Sequence, residues 1–242
     1  MKSFKISFLL LFSFVLITST ACAGWNCKEG KEKPTTEKRN LENFSAIEMN
    51  IQGDIKLVVV NENAPKTVEI NTNADLIQYI TTEIKDGKLI IDSDPCIDPD
   101  GDLIFTLTVS NLEKITINGS VDITCEKELS GQELSIQING SGDVELPLAY
   151  EKLKTSINGS GDAELSGKVA NADININGSG DVEAEKLETV DADVNINGSG
   201  DCNLRVTGNL KATIVGSGDI SYSGKPQNVK SNVIGSGNIE GR

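Results

Sequence analysis

The chain has 242 residues, a formal net charge of −14 and no histidine. Charge of that sign opposes nucleic acid and anionic lipid headgroups, and the lack of histidine removes the usual general base and the commonest transition-metal ligand. The length allows two small domains, but a repeat that fills half of the chain favours one elongated body.

The first residues carry Lys2 and Lys5 ahead of an apolar run over 6–17, then Thr18-Ser19-Thr20-Ala21-Cys22. Residues 1–21 therefore read as an export signal, too short for a permanent transmembrane helix. Two processing routes fit: Cys22 as a lipidated first residue, or Ala21-Cys22-Ala23 as a small-x-small cleavage site for ordinary secretion. Residues 22–40, with Lys31-Glu32-Lys33-Pro34, read as a solvated tether between a lipid anchor in the outer membrane and a fold.

From 41 to 111 the pattern is β but irregular. Phe44, Ile47, Met49, Ile51, Ile55, Leu57 and Val59 recur mostly two apart, the period of a half-buried strand, with Gly53-Asp54 as a turn. Val68 and Ile70 give a further strand, and residues 74–80 fit either a helical turn or a strand. Asp86-Gly87 stands between two apolar runs, a strong hairpin signal. Phe105, Leu107 and Val109 form the strand that leads onward. Between these strands Asp98, Asp100 and Asp102 flank Gly101 at a spacing that suggests a calcium loop, although there is no distal glutamate and Pro95 and Pro99 stiffen the segment. An acidic exposed turn is the other reading.

The remainder, 112–242, is repetitive. Ile138-Asn139-Gly140-Ser141-Gly142-Asp143 returns at 157–162, 176–181, 196–201, 214–219 and 233–238, and is preceded by a variant at 117–122. The first glycines step by 21, 19, 19, 20, 18 and 19 residues, the signature of a solenoid. Alternation runs unbroken through each copy: Leu134, Ile136 and Ile138 share a face with Gly140, Gly142, Val144 and Leu146. The glycines then mark corners, where the missing Cβ permits positive φ and close backbone approach. Val121, in place of the second glycine of the first copy, implies a looser corner. Stacking such turns gives an all-β parallel β-helix in which equivalent residues lie about 4.8 Å apart.

Three outward columns follow. Asn139, Asn158, Asn177 and Asn197 can bond amide to amide. Ser141, Ser160, Ser179 and Ser199 stand beside them. Asp143, Asp162, Asp181 and Asp201 repeat a like charge, so each carboxylate either accepts N–H groups of its own turn or shares gathered cations. Cys125 and Cys202 sit at inward parity four turns apart, too far for a disulfide, and read as free core thiols. Cys27 and Cys96 could pair, but nothing in the sequence places them together.

The Gly-Ser-Gly-Asp corners, with Phe44-Ser45-Ala46-Ile47 and Asp86-Gly87-Lys88-Leu89-Ile90 before them, resemble the bacterial family called "putative autotransporter adhesin, head GIN domain". The resemblance implies a right-handed parallel β-helix, an envelope setting in Bacteroidetes-type bacteria, and adhesion to a host or cell-surface glycan or protein. It implies no catalytic residues and no cofactor. The rival reading, a polysaccharide-binding or polysaccharide-degrading β-helix, needs a local cluster that interrupts the repeat. Here carboxylates are spread evenly, and Arg205 is the one arginine between Arg39 and Arg242. The final turn, reaching Ile239-Glu240-Gly241-Arg242, has no helical cap after it, and a homo-oligomer formed through it is expected.

Overall fold

The structure is a computed structural model that describes residues 27–242; the leader and the lipidation expected at Cys22 lie outside the described residues. Strand accounts for 69% of the described residues, and the one helical element among them is a 3-10 turn at Ile77–Tyr79, within the segment that fitted either a helical turn or a strand. The strands stack as parallel coils in register. One apolar column runs Met49, Ile117, Ile138, Ile157, Ile176, Ile196 and Ile214, each residue directly opposite the next. Every member is fully or almost fully buried. Burial on this scale supplies the main favourable term, at about 2 kcal/mol per enclosed aliphatic side chain.

The regular coils comprise Leu129–Gly140, Val144–Gly159, Ala163–Gly178 and Val182–Gly198, then the shorter Cys202–Val206, Asn209–Gly216, Ile220–Ser223, Asn228–Gly235 and Ile239–Gly241. Variation in the period is absorbed on the return side. Register shifts fall between Glu164 and Ser166 and between Ala184 and Glu188, so the glycine corners stay aligned.

At each corner the two glycines do different work. The first has positive φ, from +136° at Gly119 to +147° at Gly159. The second lacks that φ, but a Cβ on Gly161 would overlap the carbonyl oxygen of Gly142 in the preceding coil. Val121 takes the second position where its partner is Gly53. There a Cβ added to the first glycine, Gly119, would lie 3.6 Å from the Ile51 carbonyl oxygen, whereas at the first glycines of the later corners it would lie 2.0–2.2 Å from the glycine carbonyl oxygen of the adjacent coil. The corner at Val121 is therefore the loose one.

Spatial order departs from chain order in the N-terminal part. The coil of Ala46–Asn50 and Gly53–Val59 lies between two others. On one side it pairs with Lys114–Gly119 and Val121–Cys125, on the other with Lys88–Ser93 and Ile104–Val109. The Gly53-Asp54 turn is thus a coil corner, with Asp54 opposite Asp122. The hairpin at Asp86-Gly87 joins Ile80–Lys85 to Lys88–Ser93. Lys66–Asn73 runs antiparallel to Ile104–Val109, and Pro34–Leu41 runs antiparallel to Lys66–Asn73.

The tether over 22–40 is corrected by this arrangement: its described part, from Cys27 onward, belongs to the fold. Cys27 and Cys96 form a disulfide with Cα atoms 4.6 Å apart, and Lys28–Glu29 pairs with Ile97–Asp98. The Asp75 carboxylate accepts the backbone N–H groups of Lys31 and Glu32 at 3.1–3.2 Å. Arg39 donates to the Ile80 carbonyl at 2.8 Å and to the Thr82 hydroxyl at 3.2 Å. This segment carries no apolar alternation, because hydrogen bonds and the disulfide, more than buried side chains, hold it.

Candidate functional site

The corner hexapeptides gather all twelve predicted ladder residues along one edge of the β-helix, in register from coil to coil. The asparagine ladder forms as amide-to-amide bonds. Asn139 donates to Asn118 at 2.8 Å, Asn158 to Asn139 and Asn177 to Asn158 at 3.0 Å, and Asn197 to Asn177 at 3.1 Å. It begins one coil earlier than the repeat suggests, with Asn118 donating to Asn50 at 2.8 Å. The signal was present: Met49-Asn50-Ile51-Gln52-Gly53-Asp54 is a degenerate copy of the hexapeptide. Beyond Asn197 the column turns apolar, with Val215 and then Ile234.

The aspartates are bonded differently from the expectation. Each carboxylate Oδ1 accepts the N–H of the aspartate in the next coil, not one of its own turn: Asp162 N–H to Asp143 at 2.8 Å, Asp181 to Asp162 at 2.8 Å, Asp201 to Asp181 at 2.7 Å. The series continues through Asp219 to the N–H of Asn238. A charged acceptor makes a strong hydrogen bond, and this one offsets the like-charge repulsion of the column while tying successive coils together. The reason is directional: at the corner the N–H of the aspartate points along the axis toward its neighbour's side chain. Beside this column Ser141, Ser160, Ser179 and Ser199 are exposed, each with its N–H bound to a glycine carbonyl of the preceding coil.

A further polar patch, not among the predicted columns, lies next to the asparagine ladder. Asn175 donates to Asp173 at 2.7 Å, Asn195 to Asp193 at 3.1 Å and to Asn175 at 3.3 Å, and Lys211 pairs with Asp193 at 2.8 Å. Outward parity in Asp173-Ile174-Asn175-Ile176-Asn177 is the signal that could have found it. Asp98, Asp100 and Asp102 lie in and beside the corner of the outermost N-terminal coil, where Asp98 is taken into the short strand and the Asp100 N–H binds Asn73 at 3.0 Å. Among the described residues no group of three or more carboxylates and cysteines is placed to hold a metal ion.

The two free thiols among the described residues and Tyr150 are buried in the fold. Burial raises the pKa of the free thiols of Cys125 and Cys202. Tyr150 donates its hydroxyl to the Leu112 carbonyl at 2.9 Å, and burial pushes its pKa up to about 12. Arg205 is exposed on Cys202–Val206, opposite Glu188. No described helix is long and apolar enough to cross a membrane.

Solved structures share this architecture. A protein described as a putative adhesin from Bacteroides fragilis superposes with a TM-score of 0.84 at 24% identity, over 88% of this chain and 99% of that one. A putative adhesin from Parabacteroides merdae gives 0.70 at 25% identity, over 88% and 98%. A protein described as a putative lipid binding protein from Parabacteroides distasonis gives 0.73 at 23%, also over 88% and 98%. No curated protein matches the chain. The profile of the family described as "Putative auto-transporter adhesin, head GIN domain" matches residues 43–226, a span that holds six of the seven glycine corners, the asparagine ladder and the Asp-Gly hairpin. The chain belongs to the head GIN domain family.

Proposed function

We propose that the protein is a non-catalytic adhesion module of the cell envelope, whose corner ladders and adjoining polar face meet a glycan or protein on a host or neighbouring cell. The observation that carries this reading is the ladder itself. Exposed serines and carboxylates are held at fixed spacing by coil-to-coil hydrogen bonds, and a surface ordered in advance loses little freedom on binding. The even spread of carboxylates supports it too, since acid–base or glycosidic chemistry needs a local convergence of groups. The family's description supports an extracellular or surface setting.

In this reading Cys22 carries a lipid that attaches the protein to the outer membrane. With Cys27 bonded to Cys96, the span from Cys22 to Cys27 is at most about 18 Å. The N-terminal coils then sit beside the bilayer, and the ladders run away from it.

The mature protein is expected to bind host epithelial cells or an immobilised glycan panel, and the Ser160→Lys/Ser179→Lys variant to lose most of that binding while its circular dichroism is unchanged. Equal binding by the variant, or none by the native protein, would remove the ladder as the contact surface. Incorporation of labelled palmitate that disappears in Cys22→Ala tests the anchor separately.

A further inference from the structure

The two ends of the β-helix are finished in opposite ways. At the N-terminal end the inward residues of the outermost coil, Leu89, Ile91, Phe105, Leu107 and Val109, are all 0% exposed. The antiparallel strands Lys66–Asn73 and Pro34–Leu41 extend the sheet beyond them. At the other end Asn228–Gly235 is exposed throughout. Val229 and Val233 continue the buried column of Leu210 and Ile214, yet each is 40% exposed. Outside them Val215 and Ile234 replace the asparagines of the ladder and stand 42% and 60% exposed. Four of the six exposed large hydrophobics among the described residues therefore collect on this one end.

The charge changes with them. Residues 228–242 hold Lys230, Glu240 and Arg242, a net of +1 in a chain whose total is −14. At the last corner Asn238 takes the aspartate position. A coil end that is apolar, nearly neutral and lined by a strand with no neighbour beyond it among the described residues is a template for strand addition, while the acidic sides repel.

We propose that this end binds the same end of a second copy of the chain. The first end offers no matching surface: its inward residues are already covered, and its edge strand Pro34–Leu41 pairs on one side only among the described residues but is mostly polar and exposed, so head-to-tail growth would leave the apolar end uncovered. The pairing is isologous, Asn228–Gly235 of one copy running antiparallel to its equivalent about a two-fold axis, and it closes as a dimer. The asparagine-to-aliphatic change at Val215 and Ile234 supplies apolar contact at the rim, and the corner Gly235-Ser236-Gly237 lets the two backbones approach. The interface is the end of one coil, small for a stable complex, so the dimer forms with a dissociation constant of about micromolar.

Sedimentation of the exported chain without its leader, from about 1 µM to 1 mM, reads this directly. A monomer–dimer equilibrium is expected. Ile234→Glu, at an outward position that does not support the core, should weaken it at least about tenfold, and Val190→Glu, at a similarly exposed valine on the return side two coils back from the end, should leave it unchanged. A chain that stays monomeric throughout, species larger than dimers, a dimer indifferent to Ile234→Glu, or one weakened equally by Val190→Glu would each overturn the proposal. Trapping of the tail-to-tail arrangement by a cross-linker between the Lys230 side chains would add direct support.

Discussion

The regular coils and the N-terminal coils bury the same kinds of side chain to the same depth, but they are held by different devices. From Leu129 onward every layer repeats one solution: an aliphatic column inside, two glycines at the corner, an aspartate tying each coil to the next. Before that, the solution changes with each layer. A valine stands at a corner, antiparallel strands cover the outer coil, and a disulfide with an arginine clasp fastens 27–41. Repetition makes each interaction modest and shared, whereas the irregular end concentrates its stability in a few places.

That contrast sets the expected mutational pattern. Gly161→Val would drive a side chain into the Gly142 carbonyl and against Ile138, and should cost more than about 4 kcal/mol in chemical denaturation. Val121→Gly at the loose corner should cost only about 2 kcal/mol, the burial of one valine. Similar losses at the two corners would show that the glycines are not held by backbone contact.

Removing the disulfide comes next. Cys27→Ser/Cys96→Ser opens a link across 69 residues, which the chain-entropy account values at about 4 kcal/mol. Hydrogen exchange should rise over 27–41 and 94–103 and stay slow through 129–198. Loosening of the regular coils instead would mean that the two regions unfold as one.

Within the ladder, Asp162→Ala leaves the Asp181 N–H without its acceptor and should cost about 1–2 kcal/mol. Asp162→Asn keeps an acceptor and removes one like charge, so it should cost less than half as much by thermal melting. If the two variants are equal, the carboxylate's charge matters more than its geometry.

Acid gives the smallest effect. The Lys88 hydrogen bond, working against desolvation and aided by Asn50, holds the Glu48 carboxyl below its ordinary range. A carboxylate with a lowered folded pKa contributes stability above its unfolded pKa and loses it as pH falls through the folded one. The melting temperature of the native chain should therefore decline below about pH 4.5 slightly more steeply than that of Glu48→Gln.

The coil, its corner and its polar columns were legible because they are written locally. Parity across Ile138-Asn139-Gly140-Ser141-Gly142-Asp143 fixes which side chains face inward, and seven copies fix the layer spacing. The same reading stopped at Asn50 and Gly53, where one glycine of the pair is missing and the copy looks like an ordinary turn. It failed at Pro34–Leu41, whose residues are polar on both faces and become a strand only because Lys66–Asn73 lies beside them.

The sequence by itself determined the β-helix, the glycine corners and the asparagine ladder, since each depends on periods of two residues and of about nineteen. Only the tertiary structure decided that the coil of Ala46–Asn50 and Gly53–Val59 sits between two later ones, that Cys27 meets Cys96, and that each aspartate serves the coil above its own. Those are choices among distant partners with similar local preferences. They are settled by which arrangement covers the core and pairs the backbone, quantities that exist only once the layers are stacked.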